Sequence, residues 1–310
     1  MEHKNQTAPT YFFLIGLSDV PHLLAVYFLA FLVMYLITVC GNILLIFVVT
    51  VTPTLHTPMY FFLRNLSIID ISFSCTVVPK ILVNTLSMDP SISFLECAIQ
   101  MYIHMVLGAA ESILLAVMAY DRFVAICRPL HYASIMNYRF CACLVATSWS
   151  VGCINSFILV FPTMNLSFCG TNHVNHFFCE IPPFLLMSCV DTRLHEITIY
   201  IEAAIIVMSS FLLTVVSYVH IVISILKIHS VKGRYKVFST CASHLLVVTL
   251  YYGTIMFMYI RPHSTYYHTM DKITSLFYTV VTPMLNPFIY SIRNKDFKIS
   301  INNLKKKLCF

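Results

Sequence analysis

Seven long stretches of the chain are almost uninterrupted runs of apolar residues, broken by short polar segments. They cover about 23–50, 58–80, 98–120, 140–161, 197–226, 237–260 and 271–291. About 20 apolar residues suffice for a helix to cross a bilayer. No backbone group can go unpaired in hydrocarbon, so the pattern predicts seven helices. The runs are too long and too uniform for the ~10-residue alternating strands of a barrel. The expected fold is therefore an all-α membrane protein. A segment at 1–22 lies outside, a seven-helix bundle fills 23–291 with a long outer loop at about 162–196, and a tail occupies 292–310.

Composition closes off the soluble classes. The 310 residues are 59% hydrophobic and only 10% charged, against roughly 25% charged in soluble domains. The mean hydropathy is +0.82. So few charges cannot screen that much apolar surface from water, and the excess faces lipid. The net charge of +6 is small and forms no continuous basic face, which argues against a nucleic-acid partner. Nothing before residue 23 reads as a cleavable signal, so the first helix is expected to direct its own insertion.

Lys and Arg set the orientation. Fourteen of them, from Arg64, Arg122 and Arg128 to Lys305–Lys307, fall on the side of the tail, and five on the other. The N-terminus is placed outside and the C-terminus inside. Asn5-Gln6-Thr7 then marks Asn5 for glycosylation. Asn165-Leu166-Ser167 is a second sequon on the outer side, whereas Asn65-Leu66-Ser67 lies toward the cytoplasm and is set aside. No internal repeat is visible, unlike many transporters.

Of twelve cysteines, eight sit in spans, at cytoplasmic flanks or in the tail. Cys97, Cys169, Cys179 and Cys189 lie outside, where two disulfides and three pairings are open. A bridge from Cys97 would pin the long loop over the mouth of the bundle. His173, His176, Cys179 and Glu180 are metal-ligand types, but an oxidised Cys179 cannot ligate, and no metal is assigned.

Ionisable groups inside the bilayer cost at least ~2.5–3.5 kcal/mol and must face the bundle interior. Asp70, Glu111, Asn42 and Asn286 either satisfy one another or hold a small cation. Helical spacing groups His104, Gly108, Glu111 and Ser112 on one side of the third span. His104, Met105, Gly108, Ala109, Ser112, Glu202, Ile206, Ile255, Met256, Tyr259 and Thr279 form the expected wall of a ligand cavity, with Gly108, Ala109 and Ser112 leaving room and Met105, Ile206, Ile255, Met256 and Tyr259 supplying soft apolar surface. No phosphate loop, His-Glu-x-x-His run or nucleophile elbow appears, so neither an enzyme nor a cofactor is expected.

The inner ends of the spans make the reading specific. Met118-Ala-Tyr-Asp-Arg-Phe-Val-Ala-Ile-Cys127 continues into Arg128-Pro-Leu-His-Tyr132. Pro58-Met-Tyr-Phe-Phe-Leu-Arg-Asn-Leu-Ser67, Lys236-Val-Phe-Ser-Thr-Cys-Ala-Ser-His-Leu245, Ser217-Tyr218 and Pro283-Met-Leu-Asn-Pro-Phe-Ile-Tyr290 follow the same pattern, as does Gly41-Asn42. In order and over essentially the whole chain, these resemble the olfactory receptor family of rhodopsin-like G-protein-coupled receptors. Small departures, Lys236-Val-Phe for Lys-Ala-Phe and Phe123 where Tyr is frequent, are conservative. The Asp that amine receptors carry in the upper third span is replaced by His104.

The resemblance implies detection of small volatile molecules, and signalling through the olfactory stimulatory G protein to adenylyl cyclase at the plasma membrane, in cilia of sensory neurons. It also implies the pairs Cys97–Cys179 and Cys169–Cys189. Arg122 beside Asp121 is then the expected switch, closing the inner face or swinging toward Tyr218, Tyr290 and the G protein. Pro287 removes a helical hydrogen bond and permits a bend near Asn286, and Tyr252-Gly253 is a second candidate pivot. The tail interleaves Phe297, Ile299, Ile301 and Leu304 with lysines, which predicts a short amphipathic helix on the anionic leaflet; Cys309 is either lipidated or a free thiol. The competing readings are a chemoreceptor for a metabolite outside the nose and a seven-span ion transporter using Asp70 and Glu111.

Overall fold

The structure, a computed structural model, describes residues 10–16, 21–87, 90–169, 172–259, 268–292 and 295–308. Helices α1 (Pro21–Val51), α2 (Pro58–Leu86), α3 (Phe94–Cys127), α4 (Tyr138–Met164), α5 (Arg193–Leu226) and α6 (Val231–Tyr259) each contain a stretch long and apolar enough to cross a bilayer. The seventh, α7 (268–292), is built from His268–Leu276, a π-helical Phe277–Val281 and Thr282–Ile292. An eighth, α8 (Lys295–Leu308), follows, burying Phe297 and exposing Ile299. The chain is a multi-pass membrane protein with the seven-helix bundle its hydropathy predicts.

Burial identifies the axis of the bundle. In the apolar stretch of α3, 72% of residues are buried, against 17% in α5. Leu29, Val33, Leu36, Leu44 and Phe47 leave α1 as an exposed apolar row suited to lipid. The entry of α3 is fixed by a capping box: Glu96 N–H donates to Ser93 Oγ at 3.2 Å, and Ser93 N–H to Glu96 Oε2 at 3.0 Å. Helix α4 can lie close to α3 because Gly152 has no side chain; a Cβ there would stand 2.7 Å from the Val106 carbonyl oxygen.

Helix α6 is continuous through Tyr252-Gly253, which leaves its role as a pivot untested. Two features depart from the pattern-based expectation. The α5 and α7 spans contain π-helical segments, Ala204–Met208 and Phe277–Val281, an i→i+5 geometry that leaves no mark on hydropathy. And the outer end of this all-helical bundle carries a small sheet. Strand β1 (Tyr11–Leu14) pairs antiparallel with β2 (Ser91–Ser93) and parallel with β3 (His173–Val174). Its side chains alternate, and Phe12 and Leu14 are buried. Phe12 packs edge-on to Phe184 at 4.9 Å. Lys272 Nζ ties the strand's exit to α7 through the carbonyls of Ile15 (3.1 Å) and Gly16 (2.9 Å). Asn5, Cys309 and the side chain of Tyr259 lie outside the described residues.

Candidate functional site

Three layers stack along α3: a disulfide-bonded lid at the outer end, a polar middle and an ion pair at the inner end.

The lid is the long loop. Cys97 at the top of α3 is joined to Cys179 (Cα–Cα 5.5 Å), and Cys169 to Cys189 (Cα–Cα 5.3 Å). Gln100, one turn below Cys97, locks the first bridge in place. Its Oε1 accepts from Cys179 N–H at 2.9 Å while its Nε2 donates to the Thr76 carbonyl at 2.9 Å. Glu180 is buried and accepts from Tyr278 (2.6 Å) and Ser275 (3.1 Å) of α7. His176 Nε2 stands 3.6 Å from Glu180 Oε2, beyond hydrogen-bond range. Burial pushes the Glu180 carboxyl up to about 7, helped by nearby Asp271 and opposed by its two hydrogen bonds. Burial pushes His176 down to about 3, helped by Lys272. Both groups thus favour their neutral forms, and the contact is not an ion pair. Cys179 is oxidised, and among the described residues no three His, Cys, Asp or Glu side chains cluster as a metal site.

Beneath the lid, His104 is buried among Phe73 (5.3 Å), Phe178 (4.9 Å) and Tyr278 (5.6 Å). Its Nδ1 has no partner among the described residues, nor do Glu111 Oε1 and Ser112 Oγ. A Cβ at Gly108 would meet nothing within 4 Å. His104, Glu111 and Ser112 lie within about one turn of Gly108 along α3, on the same side of the helix. Ala109, Ile206, Ile255 and Thr279 are buried, and Met105, Glu202 and Met256 half-buried. The Thr279 hydroxyl is turned onto its own helix, donating to Ser275 at 2.6 Å. Helix α6 is stitched to the same part of α3. Tyr251 donates to the Gly108 carbonyl at 2.6 Å and Tyr252 to that of Ser112 at 2.8 Å. Sequence reading missed both tyrosines as anchors, since neither hydropathy nor spacing identifies a backbone acceptor on another helix.

The intramembrane polar set divides into separate groups. Asn286 Nδ2 donates to both Asp70 carboxylate oxygens, at 3.0 and 3.1 Å. Asn42 instead donates to the backbone carbonyls of Thr38 (3.0 Å) and Pro283 (3.2 Å), and Pro283 is three residues before Asn286. Glu111 Oε1 has no hydrogen-bond partner among the described residues.

At the inner end Asp121 is fully buried and paired with Arg122. Its other oxygen accepts from Tyr132 at 2.8 Å, so the short helix after α3 is tied into the pair. Tyr218 of α5 is bonded to His244 Nδ1 of α6 at 2.7 Å, and its ring stacks on the imidazole. Tyr290 is buried, with no hydroxyl partner among the described residues. Pro287 lies inside α7. His244 belongs to a motif the sequence displayed, but its partner comes from a different helix.

The family model described as olfactory receptor matches residues 31–308. Olfactory receptor 5AP2 of Mus musculus is 48% identical over 304 residues, spanning 98% of this chain and 96% of that protein. Olfactory receptor 1F1 of Homo sapiens is 47% identical over 313 residues, spanning 100% and 99%.

Proposed function

The chain belongs to the olfactory receptor family, and from that premise we propose that it binds small volatile molecules beneath the lid and thereby activates a stimulatory heterotrimeric G protein that raises cyclic AMP. The family is one of receptors, not enzymes. The observation that carries the proposal is the sequence of contacts along α3. A Cβ at Gly108 meets nothing within 4 Å, and His104, Glu111 and Ser112, each within about one turn of it on α3, carry unmatched atoms. The α6 anchors sit at the same level, and the Asp121–Arg122–Tyr132 latch lies below.

A small ligand has few atoms and so a limited binding energy. It need only favour the open inner face over the closed one, because only that difference moves the population. A ligand wedged beside Gly108 presses where Tyr251 and Tyr252 hold α6. Release of α6 shifts His244 and Tyr218, and frees Arg122 to meet the transducer. The side chains proposed to touch the ligand are His104, Met105, Gly108, Ala109, Ser112, Glu202, Ile206, Ile255, Met256, Tyr259 and Thr279. Residues 1–22 and the loop at about 162–196 are assigned to the outside, residues 292–310 to the cytoplasm, and the working location to sensory cilia.

The test is a cyclic-nucleotide reporter in cells exposed to a chemically diverse odorant panel. A wild-type response that Arg122→Ala abolishes, with surface expression kept, is the expected result. Undiminished signalling by Arg122→Ala overturns the switch.

A further inference from the structure

The run Pro58–Ser67 carries much of the family resemblance yet has no part in the mechanism above. It forms a wall of a separate recess. A cavity of about 530 Å³ opens at the inner end, among the α1–α2 turn, the first turns of α2 and the start of α4. Its apolar lining includes Val49, Leu55, Phe61 and Met136. Arg64 lines the same recess.

Arg64 is half-buried, with its guanidinium over the Phe61 ring at 5.8 Å. Among the described residues Arg122 pairs with Asp121 and Arg193 with Asp191, and no ion pair includes Arg64. Asp121, an acid of this end, is occupied by Arg122 and Tyr132. A permanent cation partly withdrawn from water without a counter-ion among the described residues is costly, and an anion in the cavity removes that cost. Pro58 opens α2 at the rim, and no side chain caps the helix there. The start of α4 at Tyr138 lines the same recess but is capped, Asn137 Oδ1 accepting from Phe140 N–H at 3.0 Å, so the uncapped start of α2 is the helix end that adds to the field of Arg64.

The position selects the kind of anion. Pro58 and Tyr138 are the first residues of membrane-crossing helices, which places the recess at the bilayer boundary. The inner leaflet is rich in anionic lipids, and an apolar wall beside a cation matches a phosphate joined to acyl chains. We propose that this recess binds the phosphate headgroup of an anionic inner-leaflet lipid, with Arg64 as its charge partner and the Leu55–Phe61–Met136 wall against the upper acyl chain.

The experiment uses the full receptor in phosphatidylcholine nanodiscs titrated with phosphatidylinositol 4-phosphate, with bound lipid counted by native mass spectrometry. Retention of the phosphoinositide by wild type, and affinity reduced about tenfold or more in Arg64→Gln, is expected for loss of a charge-assisted contact. Arg64→Lys should fall between. Thr57→Asp is a second variant that does not remove the arginine. It places a favourable cap at the start of α2 and a carboxylate at the mouth, and should exclude the lipid while keeping the fold. Equal retention by wild type, Arg64→Gln and Thr57→Asp overturns the proposal. So does displacement by inorganic phosphate at matched concentration, which would make the site one for free anions, or equal occupancy by phosphatidylcholine.

Discussion

The Tyr251 hydroxyl of α6 donates to the backbone carbonyl of Gly108 on α3, 2.6 Å away across 143 residues of sequence. This bond holds two helices together at the level where α3 borders open space. Replacing Tyr251 with Phe keeps the ring and removes the bond. A neutral hydrogen bond contributes about 0.5–1.5 kcal/mol, so basal cyclic AMP should rise about 2- to 10-fold if the bond belongs to the closed state. Basal signalling equal to wild type, at equal surface expression, would remove Tyr251 from the latch.

Gly108 and Gly152 should respond in opposite ways. A methyl at Gly108 meets nothing within 4 Å, whereas one at Gly152 strikes the Val106 carbonyl oxygen at 2.7 Å. Gly108→Ala should express normally, and Gly108→Trp should express but lose agonist responses by filling the cavity. Gly152→Ala should lower surface expression and thermal stability by about 1–3 kcal/mol, the usual cost of overpacking. Equal agonist potency in Gly108→Trp would show that the cavity lies elsewhere.

Tyr132 tests the inner latch without touching its charges. Its hydroxyl donates to Asp121 Oδ1 at 2.8 Å. Tyr132→Phe removes a bond to a carboxylate, typically about 1.5–3 kcal/mol. Constitutive G-protein activation should rise about tenfold or more, read as nucleotide exchange by the purified receptor. An unchanged basal rate would mean that Asp121 and Arg122 hold the closed face unaided.

The lid should show a concealed pH dependence. In the folded lid Glu180 keeps its proton up to about 7, against a reference of 4.5, so folding takes up a proton and stability falls as pH rises from 4.5 to 7. His176 stays neutral down to about 3, against 6.5, so folding releases a proton and stability rises with pH from 3 to 6.5. Between 4.5 and 6.5 the two slopes oppose each other. Glu180→Gln should therefore melt at higher temperature as pH climbs from 3 to 6.5, and His176→Phe at lower temperature as pH climbs from 4.5 to 7. Thermal unfolding of solubilised receptor across this range checks both signs, and two profiles identical to wild type would refute the assignment.

Hydropathy alone located the seven crossings, because lipid leaves a backbone no alternative to internal hydrogen bonding. Cationic asymmetry oriented them, and the motifs at their inner ends pointed to the family. Periodicity also showed that His104, Gly108 and Ser112 share a region of α3. It did not show which group meets which. Asn286 reaches Asp70 across 216 residues, while Asn42, expected in the same set, turns to the Pro283 carbonyl. Glu180 was noted only as a ligand type, and becomes the lid's anchor because Tyr278 and Ser275 face it from α7. The strand at Tyr11–Leu14 exists because β2 and β3 present edges to it. A chain's own pattern sets the face a helix buries. The rotation of each helix about its axis, and hence every contact between helices, is decided when all seven pack at once.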